Sequence, residues 1–378
     1  MSKERIRVLH VVDSLDLGGA QTFLLGLFRA FNDERFELSV AALHGPGVFS
    51  QRFADRGAEP IHLARSKFNP AIPFRLRGAI RAGRYEIIHA HLVPSCFLCE
   101  RLRGFLGVRR CVSHLHMLYR KQQGHEYQNF LERLIYKKSD FLLGCSQAVL
   151  AGVPTSVPSR VVYNGVDEGR FRPPTPEIRA SVRRELGFSP TDFVVGATGR
   201  MDRRKSQALL CRMAASLAGE IPSLQLLLVG SGPLEKELRR LAAELRIEDR
   251  VVFAGYQSQV ERFLAAMDVF ALTSEAEGHP LSLIEAMASG LGCVVSDFEG
   301  CEEIIRPGVD ALQFPRGDVQ ALAERVRKFH GEEQLRGRCG QAARQKVLEK
   351  FSEKATARSV AEVYEELLGM KPAPKSGG

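Results

Sequence analysis

Short apolar runs alternate with amphipathic stretches along nearly the whole chain. In the first half, the segments Arg7–Val12, Glu37–Leu43, Glu59–Leu63, Ile87–His89, Cys111–His114, Phe141–Cys145 and Val161–Val162 predict strands. In the second half the pattern restarts with Phe193–Thr198, Leu224–Val229, Val251–Phe253, Val269–Thr273 and Cys293–Ser296. Helical periodicity lies between them, as at Ala20–Ala30, Tyr127–Tyr136 and 234–246. In the last of these Leu234, Leu238, Leu241 and Leu245 share one stripe, and Glu235 stands four residues before Arg239. Continuous apolar strands separated by amphipathic helices predict parallel sheets covered on both faces. The expected class is α/β, with two Rossmann-like doubly wound domains.

A turn, Asn164-Gly165-Val166-Asp167, and the proline-rich segment Arg172-Pro173-Pro174-Thr175-Pro176 mark the joint between the two patterns. The expected organisation is one Rossmann-like domain over 1–168 and a second over 169–350. A final amphipathic helix is expected over 351–370. The tail 371–378 is expected to be disordered. Two doubly wound domains imply a cleft, with ligands at the carboxyl ends of the strands.

A length of 378 residues suits two domains, and 44% hydrophobic with 26% charged residues is a globular composition. No apolar run approaches the roughly 18–20 residues of a membrane span, and the N-terminus reads as a first strand rather than a signal peptide. A cytoplasmic location is expected. The eight cysteines mostly sit inside apolar runs, and Cys96-Phe97-Leu98-Cys99 has no second pair, so buried thiols are expected rather than disulfides or zinc. Residues 1–165 carry 23 Lys and Arg against 13 Asp and Glu, which accounts for the whole positive excess of the chain. Its densest part, Arg65 to Arg84, interleaves Arg75, Arg77 and Arg81 with Phe68, Phe74 and Leu76. That pattern fits attachment to an anionic membrane surface or an acidic acceptor; a solvated basic face is the alternative. No nucleic-acid-binding signature accompanies the charge.

The most informative segment runs from Glu277 to Gly290. Pro280 or Leu281 opens a helix and Gly290 stops it. Glu277 then lies in the loop before the helix and Glu285 in its second turn. The free N–H groups and the positive dipole end between them form an anion site, with a carboxylate on each side to accept hydroxyl hydrogen bonds. A nucleotide sugar has that layout: a diphosphate in the middle and polyols at both ends. Arg200 and Lys205 follow the strand Phe193–Thr198 and could neutralise a leaving diphosphate without a metal. Gly18-Gly19 after the first strand permits close approach of backbone to a ligand, although a tight strand-to-helix turn explains it too. Val229-Gly230-Ser231-Gly232-Pro233 reads as a structural turn. His89, His91, His114 and His116 are expected at or just beyond strand ends, pointing toward a ligand, whereas His10 reads as a satisfied core histidine.

These motifs, in this order, resemble the retaining nucleotide-sugar glycosyltransferases of family 4, with the two-domain GT-B fold. The likeness rests on Leu17-Gly18-Gly19-Ala20, Ile87-Ile88-His89-Ala90-His91, Val162–Asp167, Gly199-Arg200 with Lys205, Val229–Pro233, the Glu277–Gly290 segment and Gly300-x-x-Glu303-Ile304-Ile305. It implies that Glu285 binds the ribose, that Glu277 holds the donor-sugar hydroxyls, and that Arg200 and Lys205 hold the diphosphate. It further implies that Gly18 and Gly19 approach the ligand, and that Pro280, Leu281 and Ser282 line the diphosphate and sugar. His114 would contact the donor sugar, with His116 as the alternative; Phe253 would lie near the base and His279 near the sugar. The implied chemistry retains the anomeric configuration and uses a UDP- or GDP-sugar, with no divalent metal and no cofactor. The implied acceptor is lipid-linked or a glycan, in cell-envelope polysaccharide or glycolipid synthesis. Peripheral association with the inner face of the membrane is expected from the basic first half. There are three departures from the family pattern: Ser206 for glycine, His279 for an apolar residue, and the pair Gly292-Cys293 for the proline before the strand Val294-Val295. A nucleotide-sugar epimerase of the same architecture and a catalytically silent subunit are the other readings.

Overall fold

The computed structural model describes residues 5–118, 136–153 and 156–370. The helix expected at Tyr127–Tyr136 lies, but for its last residue, outside the described residues, and so does the tail 371–378. The chain divides into two compact units. The first runs to Gly165 and takes up the chain again from Glu353; the second is Val166–Ser352.

The first unit holds a sheet of seven strands: β1 (Ile6–Val12), β2 (Phe36–Ala42), β3 (Ile61–His62), β4 (Ile87–His91), β5 (Arg110–Leu115), β6 (Phe141–Gly144) and β7 (Ser159–Val161). Their order is β3-β2-β1-β4-β5-β6-β7, and each strand runs parallel to its neighbours. The second unit holds six: β8 (Phe193–Thr198), β9 (Leu224–Val229), β10 (Val251–Gly255), β11 (Val269–Leu272), β12 (Gly292–Ser296) and β13 (Leu312–Phe314), in the order β10-β9-β8-β11-β12-β13. Both sheets reverse direction of winding beside their first strand, between β1 and β4 and between β8 and β11. That reversal is the topological switch point of a doubly wound sheet, where the connections diverge and leave a crevice at the strands' carboxyl ends. The α/β class and the doubly wound architecture are as expected.

Apolar strand sequences explain the parallel arrangement. Strands such as Phe193–Thr198 and Val269–Leu272 are buried along their whole length, because helices cover both faces. The core of the second unit joins Val195, Leu226, Leu228 and Val294 to Leu210, Leu322 and Phe329 from flanking helices. The predicted ion pair Glu235–Arg239 forms on the helix Glu235–Glu244, at 2.9 Å.

The last helix, Glu353–Leu368, belongs to the first unit and packs on the helix Gly19–Ala30. Val360, Val363 and Tyr364 enter the same core as Val8, Phe23, Leu27 and Val40. Arg29 Nε donates to Glu353 at 2.8 Å, and Arg35 pairs with Glu365, so both ends of the helix are tied by charge. All eight cysteines are free and buried. Among the described residues no helix is long and apolar enough to cross a membrane.

Candidate functional site

In the second unit the switch point lies between Thr198, which ends β8, and Thr273-Ser274, which follow β11. Gly199 continues from β8 with φ 139, a backbone conformation closed to side-chain-bearing residues. Gly230, at φ 135 after β9, faces it: a Cβ there would stand 2.0 Å from the Gly199 carbonyl oxygen. Backbone bonds from Gly199 N to Val229 O (2.9 Å), Met201 N to Ser231 O (3.0 Å) and Gly230 N to Gly255 O (2.7 Å) zip the three strand ends together. The glycines of Val229–Pro233 thus serve backbone packing, in line with a structural turn.

The chain then makes a short 3-10 turn, Arg203–Lys205, capped by the Asp202 carboxylate, which accepts from Lys205 N at 3.3 Å. Ser206 closes it at φ 50, in the left-handed region. This shows why glycine suits the position; here the serine hydroxyl has two acceptors in reach of its one proton, Arg203 O at 3.0 Å and Glu275 Oε1 at 3.2 Å. Thr273 Oγ1 donates to Lys205 O at 2.8 Å and Glu275 N donates to Arg204 O at 2.8 Å, fastening the turn to the segment after β11. The result is that Lys205 Nζ meets Glu277 Oε1 at 2.5 Å. Both side chains are largely buried, which makes this a charge-assisted contact rather than a surface pair. Arg200 is not drawn in: its guanidinium stands in solvent, 4.0 Å from Asp202.

Pro280, at φ −70, precedes the helix Leu281–Ala288. The first bonds to the Pro280 carbonyl come from Leu283 N (3.2 Å) and Ile284 N (3.3 Å), so the N–H groups of Leu281 and Ser282 precede the helical ladder. Glu285 is half-buried, three and four residues on from Ser282 and Leu281, and so on their face of the helix. Four buried side-chain atoms here have no hydrogen-bond partner among the described residues: Thr198 Oγ1, Gln207 Oε1, Ser274 Oγ and Ser282 Oγ. An unpaired buried polar group costs about 1–3 kcal/mol. Such orphans at a switch point mark a surface completed by a ligand or by water. Thr198, Gln207 and Ser274 were not among the expected site residues. Their signal in the sequence was a hydroxyl residue at or just past the end of an apolar strand, for Thr198 and Ser274; Gln207 carried none.

Two further expected site residues have side-chain neighbours within the second unit. His279 is buried with its ring edge-on to Phe351, 5.0 Å between centroids, and burial together with Lys346 pushes its pKa down to about 3. Phe253 lies in β10, half-buried, with the Arg239 guanidinium 4.3 Å over its ring.

In the first unit, Gly18 sits at the N-cap of the helix Gly19–Ala30 with φ −177, an extended conformation open to any residue. A Cβ on Gly19 would meet nothing within 4 Å, and both glycines are exposed. The fold itself does not demand glycine at position 19. The histidines stand at or near strand ends, as expected, but their rings are covered rather than reaching outward. His89 and His91 lie within β4, His114 lies within β5, and with His10 of β1 all four are fully buried. Strand alternation puts His89 with His91, and His114 with His116, on one face, where the helices carrying Phe23 and Tyr364 cover them. The repeated His-x-His spacing inside apolar runs was the signal for this. The ring nitrogens bond one another: His10 Nδ1 with His91 Nε2 at 3.0 Å, His91 Nδ1 with His116 Nε2 at 3.0 Å, and His89 Nε2 with His114 Nδ1 at 3.2 Å. Burial holds all five well below the usual imidazole pKa, His10 and His116 at about 3. The triads His10–His89–His91 and His91–His114–His116 bring nitrogens within 4.8 Å of one another, but a metal there would have to break these mutual hydrogen bonds.

Comparison with known proteins follows the same division. Residues 17–170 match the family described as Glycosyltransferase Family 4, and residues 178–346 match Glycosyl transferases group 1. The lipopolysaccharide core biosynthesis glycosyltransferase LpsD of Rhizobium meliloti (strain 1021) is 32% identical over 366 residues, covering 95% of this chain and 98% of that protein. A GDP-mannose-dependent monoacylated alpha-(1-6)-phosphatidylinositol monomannoside mannosyltransferase of Corynebacterium glutamicum is 31% identical over 234 residues, 58% of this chain and 60% of that protein. The crystal structure of Anabaena Alr3699/HepE in complex with UDP-glucose superimposes with a TM-score of 0.87 at 21% identity, over 96% of this chain and 100% of that one. With two doubly wound sheets, both family matches and a full-length relative of this similarity, the chain belongs to the group 1, family 4 glycosyltransferases of GT-B fold.

Proposed function

We propose that this protein is a retaining, metal-independent glycosyltransferase that moves a hexosyl group from a UDP- or GDP-sugar to a lipid-linked or glycan acceptor of the cell envelope. The observation that carries this reading is the edge of the second unit where Lys205 and Glu277 meet beside the start of the helix Leu281–Ala288. A diphosphate supplies acceptors to the N–H groups of Leu281 and Ser282 and to the orphaned hydroxyls of Ser274 and Ser282. It also offers Lys205 a second anion. As Lys205 turns toward the phosphate, the Glu277 carboxylate is freed to accept sugar hydroxyls, while Glu285 takes the ribose and exposed Arg200 swings onto the diphosphate. Lysine, arginine and the helix dipole supply the positive charge that a departing nucleoside diphosphate needs. In the transfer the acceptor oxygen bonds the anomeric carbon on the face the diphosphate leaves. The hydroxyl proton passes to the leaving phosphate oxygen.

A thermal-shift comparison of UDP, GDP and their sugar conjugates, with and without EDTA, tests the donor. At about 100-fold excess over Kd a bound ligand adds roughly 2.7 kcal/mol, or about 5–10 °C in the Tm of a unit this size. A rise of that order with one nucleotide, unchanged by EDTA, is expected. No rise with any of them would overturn the donor assignment, and a rise abolished by EDTA would overturn metal independence. HepE with UDP-glucose and the GDP-mannose-dependent relative motivate both bases.

Membrane association is supported by the first unit's helix Ile72–Gly83 and the loop before it. Phe68 is 83% and Phe74 68% exposed, among Arg65, Lys67 and Arg81. Exposed aromatic rings among cations suit the interface of an anionic bilayer. Wild type is expected to sediment with vesicles containing anionic phospholipid. The double variant Phe68→Ser, Phe74→Ser should bind them at least about tenfold less, with its nucleotide-induced thermal shift intact. Equal sedimentation of the two proteins would remove this surface from the proposal.

A further inference from the structure

The four buried histidines and half-buried His116 do not form separate contacts; with one tyrosine they make a single unbranched chain. Tyr364, from the final helix, lies 2.7 Å from His89 Nδ1 and 3.3 Å from His10 Nε2 through its hydroxyl oxygen. Joined to the three imidazole contacts, this gives the sequence His114–His89–Tyr364–His10–His91–His116. The chain has two loose ends, His114 Nε2 and His116 Nδ1, both buried and without a partner among the described residues. The two end rings stack, with centroids 4.3 Å apart, so the chain doubles back on itself.

Counting protons fixes what this chain can do. A neutral imidazole carries one N–H and one lone pair, and a phenol carries one O–H. Six neutral groups bring six protons to five contacts, and each contact holds one. The sixth proton must sit at a loose end. If it is on His116 Nδ1, each contact is donated in the same direction, and all five histidines are Nδ1–H. If it is on His114 Nε2, every donation reverses, and all five are Nε2–H. No mixed arrangement keeps the five hydrogen bonds in a neutral chain. One loose end is then always a donor and the other always an acceptor.

We propose that His114, His89, Tyr364, His10, His91 and His116 act as one tautomeric block whose loose ends offer a matched donor and acceptor to hydroxyl groups, of water or of a sugar, with Tyr364 the positioning residue that couples its two arms. A hydroxyl both accepts and donates, so it fits either setting. A phosphate or carboxylate only accepts, an ammonium only donates, and a metal ion needs lone pairs at both ends; none of these matches the pair. Burial keeps the rings uncharged at neutral pH, which preserves the proton count. Occupation of one end by a donating hydroxyl sets the proton at the other end without moving net charge. The inference concerns the ligand-free protein and stands whichever nucleotide the donor carries.

Two-bond proton–nitrogen correlation spectra of protein labelled with nitrogen-15 histidine, at pH 7.5, read the tautomer of each ring. In wild type the five rings are expected to report one common ratio of Nδ1–H to Nε2–H. In Tyr364→Phe, His89 and His114 should report one ratio and His10, His91 and His116 a different one. Free glucose distinguishes the occupant: a concerted shift of all five signals identifies a sugar hydroxyl, and an unmoved common ratio identifies water, each upholding the block. Different tautomers side by side in wild type, a doubly protonated ring, an undivided ratio in the variant, or one equivalent of zinc retained after dialysis against EDTA would overturn it. Should the variant fail to fold, the wild-type spectrum alone decides.

Discussion

Replacing Glu277 by glutamine is expected to lower kcat/KM by about 2–3 kcal/mol, roughly 30- to 150-fold, with nucleotide affinity little changed. The substitution keeps the shape of the side chain and removes its charge. It weakens a carboxylate that accepts sugar hydroxyls, and it also releases Lys205 from the 2.5 Å contact. The second effect makes Lys205 more available to a diphosphate, so UDP or GDP should bind as well as to wild type or better. The combination of poor turnover and intact nucleotide binding separates a sugar-gripping role from general damage to the site. Glu275→Gln is the control: Glu275 is exposed, and its carboxylate accepts a surface bond from Ser206. Steady-state kinetics with the donor identified by thermal shift would check this. Turnover unchanged in Glu277→Gln would take that residue out of the reaction.

Acid should unfold the first unit well before the second. His10, His89, His91 and His114 are fully buried, and burial depresses their pKa values, to about 3 for His10 and well below the ordinary value for the others. In the unfolded chain they return to about 6.5. Above that pH both states are neutral and the full stability is present. As the pH falls below about 6.5 the unfolded chain takes up protons that the folded unit refuses, and stability is lost down to the folded pKa values. Each group contributes up to about 1.4 kcal/mol per pH unit. Four of them at pH 5.5 amount to roughly 5 kcal/mol, comparable with the 5–15 kcal/mol that holds a typical domain together. Asp13 works the other way, since desolvation raises its folded pKa and it gains its proton early when folded, but it is one group against four. In the second unit only His279 shows such a depression among the described histidines. Pulsed hydrogen exchange at pH 7.5, 6.5 and 5.5, read by peptide, should show exchange spreading through β1, β4 and β5 while β8 and β11 stay protected. Simultaneous loss of both units, or earlier loss of the second, would contradict the assignment of the histidines as a neutral buried block.

The Glu277–Gly290 segment was legible because its signals are local. A proline that fits only the first turn, an apolar face and a terminal glycine define the helix, which the structure runs from Leu281 to Ala288. The strands were legible wherever the apolar run was four residues or longer. The three residues of β13, Leu312–Phe314, are too few to show a period, and that strand went unread. The strand read as Ile87–His89 stopped short for a related reason: a polar residue at the edge of an apolar run reads as the end of the strand. In fact β4 extends through His91, because this ring finds partners in His10 and His116 and no longer carries the cost of unpaired burial.

By itself, the sequence determined the class of fold, the order of the elements and the start and stop of the helix after Pro280, since hydrophobic period, turn residues and helix ends depend on neighbours within a few positions. The tertiary structure alone decided which side chains meet. Lys205 reaches Glu277 across 72 residues, His89 reaches His114 across 25, and Tyr364 reaches His10 across 354. Those meetings follow from strand order and from the return of the last helix, and no local preference encodes either. Whether a buried histidine is an orphan, a ligand or a link in a chain depends on the group opposite it, and only the folded sheet supplies that group.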